Sequence, residues 1–135
     1  MKKQILLFLI LVLITCIICS CGGGENGDTS LWDSATYSES TAVGEGATTF
    51  TVSVEAEDKT VILTVSTDET VLGTALYSLG ITNDPSFFNT VNGMVADWDK
   101  DQAYWAFYVG DEYASVGVDQ INVAQDAVYK LVYTK

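Results

Sequence analysis

Aromatic side chains at alternate positions give the stretch Ala103–Val109 the clearest potential to bind a ligand. A strand turns successive side chains to opposite faces, so Tyr104 and Tyr108 share one face and Trp105 lies on the other. Both faces can serve as sheet core and cross-strand partners. The tyrosine face, together with Trp98, can instead form a flat apolar platform with polar tips for a planar ligand. Two flanking turns complete the candidate binding set, which is Tyr104, Tyr108, Trp98, Asn92, Gly93 and Asp111.

Three carboxylates at alternate positions, Asp97, Asp99 and Asp101, suggest a second kind of chemistry. Their spacing is that of the first ligands in an EF-hand loop, where carboxylate oxygens gather calcium. The rest of such a loop does not follow, because Gln102 stands where glycine is required and Tyr108 where a bidentate glutamate is required. We therefore interpret this run as a solvated acidic loop and predict no metal site. Calcium binding stays a hypothesis.

The residue types that are missing exclude several kinds of active site. The chain has no His, and all 6 of its basic residues are Lys. It therefore lacks a His-based catalytic triad, a His metal ligand and an Arg clamp for phosphate. The 18 acidic residues give a net charge of -12, which would repel a nucleic-acid backbone. We expect neither enzymatic activity nor nucleic-acid binding.

The N-terminus has the pattern of a secretory signal. A short basic segment, Met1–Lys3, precedes an apolar run of about 14 residues from Ile5 to Ile18, which is shorter than the roughly 20 that a membrane-spanning helix needs. The run ends in Ile18-Cys19-Ser20-Cys21, which resembles a bacterial lipobox. The resemblance implies cleavage before Cys21, a lipid on its sulfur and a place on the extracytoplasmic face of the cell membrane. An uncleaved anchor helix and a second box ending at Cys16 are the alternatives.

These assignments divide the chain into a signal peptide (1–20), a lipidated Cys with a flexible tether (21–47) and a folded domain (48–135). If Cys21 carries lipid, the folded domain has no thiol, disulfide or Cys metal site. The tether is predicted from its glycine, serine, threonine and glutamate content and its lack of periodicity. Within it, Leu31-Trp32 is interpreted either as a hydrophobic spot that packs loosely on the domain or as a docking point for a partner.

Strands are predicted at both ends of the domain. Apolar and polar residues alternate from Phe50 to Ala56, and a second strand follows the turn at residues 57–59, so the two should form a hairpin. Further strands are predicted at residues 91–95, 103–109, 112–116 and 127–134.

Helical periodicity is confined to the middle of the domain. Apolar positions between Val71 and Leu79 repeat with the period of a helix, which Thr67 or Asp68 can cap and Gly80 can end. A loop is expected at residues 82–90. We predict an α+β domain with a single helix packed on a small mixed β-sheet, β-grasp-like in arrangement. An all-β sandwich is the alternative.

Several short motifs occur in an order that resembles the transcobalamin-like C-terminal domain. This domain is found at the C-terminus of animal cobalamin carriers and in bacterial surface lipoproteins. The similarity covers roughly residues 61–134 and rests on Val71-Leu72-Gly73, Leu79-Gly80-Ile81, Val91-Asn92-Gly93, Tyr104-Trp105-Ala106-Phe107-Tyr108, Gly117-Val118 and Tyr129–Thr134. In the carriers this domain is similar to a lid that holds cobalamin against a helical barrel. The resemblance implies a cobalamin or related cobamide ligand. No helical barrel is predicted from this sequence, and it departs from the bacterial pattern at Gly110-Asp111 and Gln125-Asp126.

Two function classes follow. The first is a lipid-anchored binding module that captures cobalamin or a cobamide for uptake, with a helical-barrel or transporter partner to complete the site. The second is a non-enzymatic protein–protein interaction module at the cell surface, which exposed strand edges would serve.

Overall fold

A computed structural model describes residues 29–135 of the chain. The signal peptide and the lipidation of Cys21 are predictions that lie outside the described residues, as do Cys16 and Cys19. In the described part, no helix combines the length and the apolar character needed to cross a bilayer.

Six strands form one mixed sheet, as predicted, and their bounds are β1 Thr41–Val43, β2 Thr48–Ala56, β3 Lys59–Thr67, β6 Tyr104–Val109, β7 Glu112–Tyr113 and β8 Val128–Thr134. Their order across the sheet is β1-β3-β2-β8-β6-β7. The hairpin of β2 and β3 is confirmed, and β2 also pairs in parallel with β8 at the centre of the sheet. The six strands lie in a single sheet rather than in the two packed sheets of a sandwich.

The core lies on one face of this sheet. Alternate residues of β2 and β3 are fully buried there, among them Phe50, Val52 and Leu63. Phe50 meets Tyr129 of β8 edge to face, with ring centroids 5.4 Å apart. Each residue turned to the opposite face, such as Ile62, is more exposed. The alternation that predicted the strands is therefore the alternation between core and solvent.

The main helix, α1, spans Leu72–Ser78 and buries its apolar side on the core. Gly80 follows it with φ +70°, in the left-handed conformation that ends a helix, as predicted. The predicted cap is wrong, because Val71 occupies the capping position without a side-chain hydrogen bond. Thr67 and Asp68 instead accept hydrogen bonds from the main-chain N–H groups of residues 69 and 47.

Residues 29–43, predicted as tether, contact the domain instead; we call them the strap. A 3-10 turn at Leu31–Ser34 places the Trp32 indole so that it donates a hydrogen bond to the Ala56 carbonyl at 3.0 Å. Lys59 lies 4.7 Å from the centre of the same ring. Further along, β1 pairs in parallel with β3. The part of the tether prediction that falls on residues 29–43 is therefore wrong, and Leu31-Trp32 packs on the core.

Two small elements lie between α1 and β6. Strands β4 (Thr90–Val91) and β5 (Met94–Val95) form a hairpin where one strand was predicted, and α2 (Trp98–Asp101) is a single helical turn. The prediction of a single helix is therefore incomplete. Sheet accounts for most of the structure, so the α+β description holds only in part.

Candidate functional site

One edge of the sheet is only partly covered, along β6. Strand β7 pairs only with Tyr108 and Val109, and the Ala114 N–H continues the ladder to the Phe107 carbonyl at 3.0 Å. The main-chain N–H and C=O groups of successive residues in a strand point to opposite edges. Those of Trp105 therefore point to the same edge as those of Phe107, two residues later. Among residues 29–135, no strand pairs with that edge at Trp105.

The aromatic residues of β6 divide as their alternation predicted. Trp105 and Phe107 lie on the core face, where they are 7 % and 8 % exposed. The Trp105 indole donates to the Met94 carbonyl at 3.2 Å, and Phe107 stacks on Tyr129 with centroids 6.1 Å apart. Because these contacts hold both rings in place, Trp105 and Phe107 form a rigid surface beside which a ligand can bind.

An uncharged cavity of about 330 Å³ opens beside this edge. Its most unusual residue is Phe87, whose side chain is 93 % exposed at the cavity rim. Tyr113 and Val116 line the same cavity and are also exposed. No charged side chain is among the residues that line this cavity, which are Ser86, Phe87, Phe88, Trp105, Phe107, Tyr113, Ala114, Val116, Gly117 and Val118.

Hydrogen bonds within its loop hold Phe87 in this position. The Asp84 carboxylate accepts from the main-chain N–H groups of Ser86 and Phe87, at 2.8 and 2.9 Å. These donors, first that of Phe87, hold the pKa of Asp84 below its ordinary value. The Asn83 side chain accepts from two further N–H groups of the same loop. The loop is thus internally bonded although its aromatic side chain faces solvent.

A second, acidic cavity of about 490 Å³ lies on the other side of Phe88, which lines both cavities together with Trp105. Trp98 and Tyr104 meet here with ring centroids 6.2 Å apart and an angle of 60° between their planes. The Asp97 and Asp99 carboxylates complete the acidic lining.

The six predicted binding residues do not form one site. Trp98 and Tyr104 are brought together, as proposed from the sequence. Tyr108 lies four residues along β6, about 13 Å away at 3.3 Å per residue, where it contacts Tyr113. Asp111 is paired with Lys130 at 2.6 Å in an exposed ion pair, which lowers the pKa of Asp111 and raises that of Lys130.

Asn92 and Gly93 hold the strap, which contradicts a direct role for Asn92 in ligand binding. The fully buried Asn92 side chain donates to the Tyr37 carbonyl and accepts from the Tyr37 N–H, both at 2.8 Å. Gly93 has φ +80° and lies so close to the Ser34 carbonyl that a Cβ would clash with it. An amide whose donor and acceptor both have partners inside the protein has little left to offer a ligand.

The acidic triplet does not converge on a point. One Asp97 oxygen caps α2 by accepting from the Lys100 N–H at 3.0 Å, which spreads Asp99 and Asp101 around a helical turn. Between residues 29 and 135, no three His, Cys, Asp or Glu side chains lie close enough to hold a metal ion.

Sequence reasoning missed Phe87 and Val116. Phe87 lies in the segment predicted as a loop, and Val116 was assigned to a predicted strand at residues 112–116, which in the structure ends at Tyr113. The one available signal was the apolar pair Phe87-Phe88 inside a loop that was otherwise expected to be polar.

Comparison with known proteins indicates a distant fold relationship. No family model and no curated protein match the chain. The crystal structure of a candidate metal-binding protein from Ruminococcus gnavus ATCC 29149 aligns with a TM-score of 0.60 at 25% identity, over 66% of this chain and 98% of that one. Haptocorrin in complex with Cbi aligns with a TM-score of 0.51 at 17% identity, over 65% of this chain. The chain matches only 25% of haptocorrin, so this likeness establishes a shared fold for one part of that protein.

Proposed function

We propose that this protein is a non-enzymatic, lipid-anchored binding module on the extracytoplasmic face of the membrane, and that its uncharged cavity receives cobalamin or a related cobamide. The observation that carries the proposal is the 93 % exposure of Phe87 on an internally hydrogen-bonded loop. A large aromatic ring held in water gains free energy when a ligand covers it. Because the loop is already ordered, little further ordering opposes that gain.

The cavity offers the two kinds of contact that a flat, amide-bearing ligand needs. Phe87, Tyr113 and Val116 supply apolar surface around a fixed base. The main chain of Trp105, turned to the uncovered edge of β6, supplies a donor and an acceptor for peripheral amides. An uncharged lining avoids the cost of burying a charge against the ring system.

Cobalamin is favoured over other flat ligands by two supporting observations. The motif order resembles the transcobalamin-like C-terminal domain, and the fold is shared with a part of haptocorrin. The strand order, with two central parallel strands and an antiparallel partner on each side, agrees with a β-grasp-like arrangement.

The strap can hold the domain close to a membrane surface. Ser30 and Leu31 donate hydrogen bonds to the Glu57 carboxylate, at the turn between β2 and β3. If Cys21 carries the lipid, seven residues lie between it and Thr29, and the eight steps span at most about 28 Å of chain. Thr29, and with it the β2–β3 turn, would then lie near the membrane surface.

The cavity covers one side of a large ligand, so we expect modest affinity and a second covering surface. A helical-barrel or transporter partner would supply that surface and receive the ligand for uptake.

Titration of the full-length protein with cobalamin, followed by the corrin absorbance, tests the proposal. We expect saturable binding at micromolar concentrations and a loss of about tenfold or more in Phe87→Ser, since buried aromatic anchors dominate such sites. Tyr77→Ser is the matched control, because Tyr77 is 51 % exposed on α1 and does not line the cavity. No saturation up to millimolar cobalamin, or equal loss in both variants, would overturn the proposal.

The outer face of the sheet favours a second candidate, a protein–protein interaction module. Ile62 and Val128 are each 45 % exposed there, with Tyr104 at 41 %. If this face docks a partner, Ile62→Lys should abolish co-purification of that partner and leave cobalamin titration unchanged.

A further inference from the structure

The acidic cavity has a different chemistry from the uncharged one. Four aromatic residues line it, and its two charged residues, Asp97 and Asp99, are both acidic. No Lys is among its lining residues, which are Phe88, Asn89, Ala96, Asp97, Trp98, Asp99, Ala103, Tyr104 and Trp105. Trp98 is 62 % exposed and Tyr104 41 %, so both side chains are accessible to solvent.

We propose that this cavity binds a small organic cation of the methylated ammonium class. The face of an aromatic ring is the negative side of its quadrupole and attracts a cation, most strongly for Trp. Trp98 and Tyr104, whose ring planes are inclined at 60° with centroids 6.2 Å apart, both line the cavity, so a cation there lies beside two aromatic side chains. The neighbouring carboxylates add an attraction that falls off slowly with distance in a partly desolvated cavity.

Aromatic ring faces favour a ligand that carries its positive charge on methyl groups rather than on N–H groups. One Asp97 oxygen already accepts the Lys100 N–H, which leaves this carboxylate fewer acceptor positions for the N–H groups of a ligand. A methylated ammonium ion has no N–H groups that need acceptors, and its methyl groups pack on ring carbon. The net charge of -12 favours cations over anions at every approach to the surface.

This site is separate from the proposed cobalamin site in its decisive residues. Of these two cavities, the acidic one alone is lined by Trp98, Tyr104, Asp97 and Asp99, and the uncharged one alone is lined by Phe87 and Val116. The cation site can therefore exist whether or not a corrin binds at Phe87.

Choline is the probe, and 3,3-dimethyl-1-butanol, which replaces its nitrogen with carbon, is the neutral control. Each is titrated into the full-length protein while the three Trp indole N–H resonances are followed by NMR. We expect choline to shift the Trp98 resonance saturably at millimolar concentrations, and the neutral isostere to shift it at least tenfold less. Trp32 lies outside the cavity and should not move. Equal response to both probes would overturn the proposal, because apolar contact alone would explain it.

Variants separate the ring contribution from the fold. Trp98→Leu and Tyr104→Leu should each weaken choline binding about tenfold, the equivalent of roughly 1.4 kcal/mol, whereas Tyr104→Phe should keep it. Tyr108→Leu, on the same face of β6 but outside the cavity, is the matched control and should bind choline normally. Retained affinity in Trp98→Leu would refute the proposal.

Charge variants test the carboxylates. Asp99→Asn should weaken choline binding several-fold, and Asp58→Asn, which removes the same charge from the β2–β3 turn, should not. Equal effects of the two variants would show that only the net charge of the protein matters, and this would overturn the proposal of a specific cation site.

Free choline and a phosphatidylcholine headgroup share this chemistry, and two further probes distinguish them. Phosphocholine should bind more weakly than choline because its phosphate meets the same carboxylates, and phosphatidylcholine vesicles should not compete with choline. Stronger binding of phosphocholine together with vesicle competition would instead identify a lipid headgroup as the source of the cation.

Discussion

Replacing Asn92 by Gly isolates the hydrogen bonds that hold the strap to the domain. Asn92 has φ +53°, which Gly adopts freely, and its main-chain bonds to Thr36 and Ile81 can persist. The variant loses the two side-chain bonds to Tyr37, each worth about 0.5–1.5 kcal/mol net. The flexibility that Gly adds to the unfolded chain is offset by relief of the left-handed strain, and the vacated amide leaves a small cavity that costs about 1 kcal/mol more. We expect a total loss of about 2–4 kcal/mol of unfolding free energy.

Urea unfolding of the full-length protein measures this loss as a lower midpoint with an unchanged m-value. Gln102→Gly is the matched control, because Gln102 has the same φ of +53° on an exposed helix end. It should change stability by no more than about 1 kcal/mol. In a chain shortened to begin after Val43, Tyr37 is gone, so Asn92→Gly should cost much less. A loss below about 0.5 kcal/mol in the full-length protein would show that the amide does not hold the strap.

Two further predictions concern the loop that carries Phe87. Gly73→Ala should lower stability by about 1–3 kcal/mol despite the better helix propensity of Ala, because its Cβ would clash with the Pro85 carbonyl; an unchanged thermal midpoint would contradict this. The lowered pKa of Asp84 means that its bonds to Ser86 and Phe87 contribute fully above the unfolded value near pH 4 and are lost as pH falls through the lower folded pKa. The amide shifts of those two residues should therefore stay constant down to about pH 4 and titrate below it, and a midpoint at or above pH 4 would count against the loop as described.

The predictable parts of the fold are those in which the conformation depends on residues that are close in sequence. Phe50 to Ala56 alternates because one face of the strand is core, and Gly80 follows the helix because the backbone there requires positive φ. Both signals lie within a few residues of the feature they predict. The mixed sheet followed from such strands, although the number of helices did not.

The strap could not be read in the same way, because its contacts are isolated and distant in sequence. Trp32 bonds to Ala56, 24 residues away, and Tyr37 bonds to Asn92, 55 residues away. Such contacts leave no periodicity between Thr29 and Val43, and the polar composition indicated a tether. The helix cap failed for a related reason, since Asp68 binds the Ala47 N–H across the chain.

The candidate site was predictable only in pieces. The pairing of Trp98 with Tyr104 follows from the turn that Asp97 caps, since that turn brings the indole back to the start of β6. Tyr108 shares the strand face with Tyr104, yet alternation says nothing about separation along a strand. Phe87 was missed because only the tertiary position of its loop shows that nothing covers the ring.

The rim of the uncharged cavity has one structural cause, the shortness of β7. Because this strand ends at Tyr113, the chain from Ala114 to Val118 turns away to form the rim of the uncharged cavity, and the edge of β6 at Trp105 has no strand partner in the described part. An uncovered edge is a liability, since it can pair with another chain. The carboxylates of Asp97 and Asp99 beside it discourage that pairing by charge. A longer β7 would remove the liability and would also remove the cavity rim. The edge of β6 at Trp105 is therefore unpaired among the described residues and is flanked by negative charge. We expect this arrangement if a ligand binds at the edge.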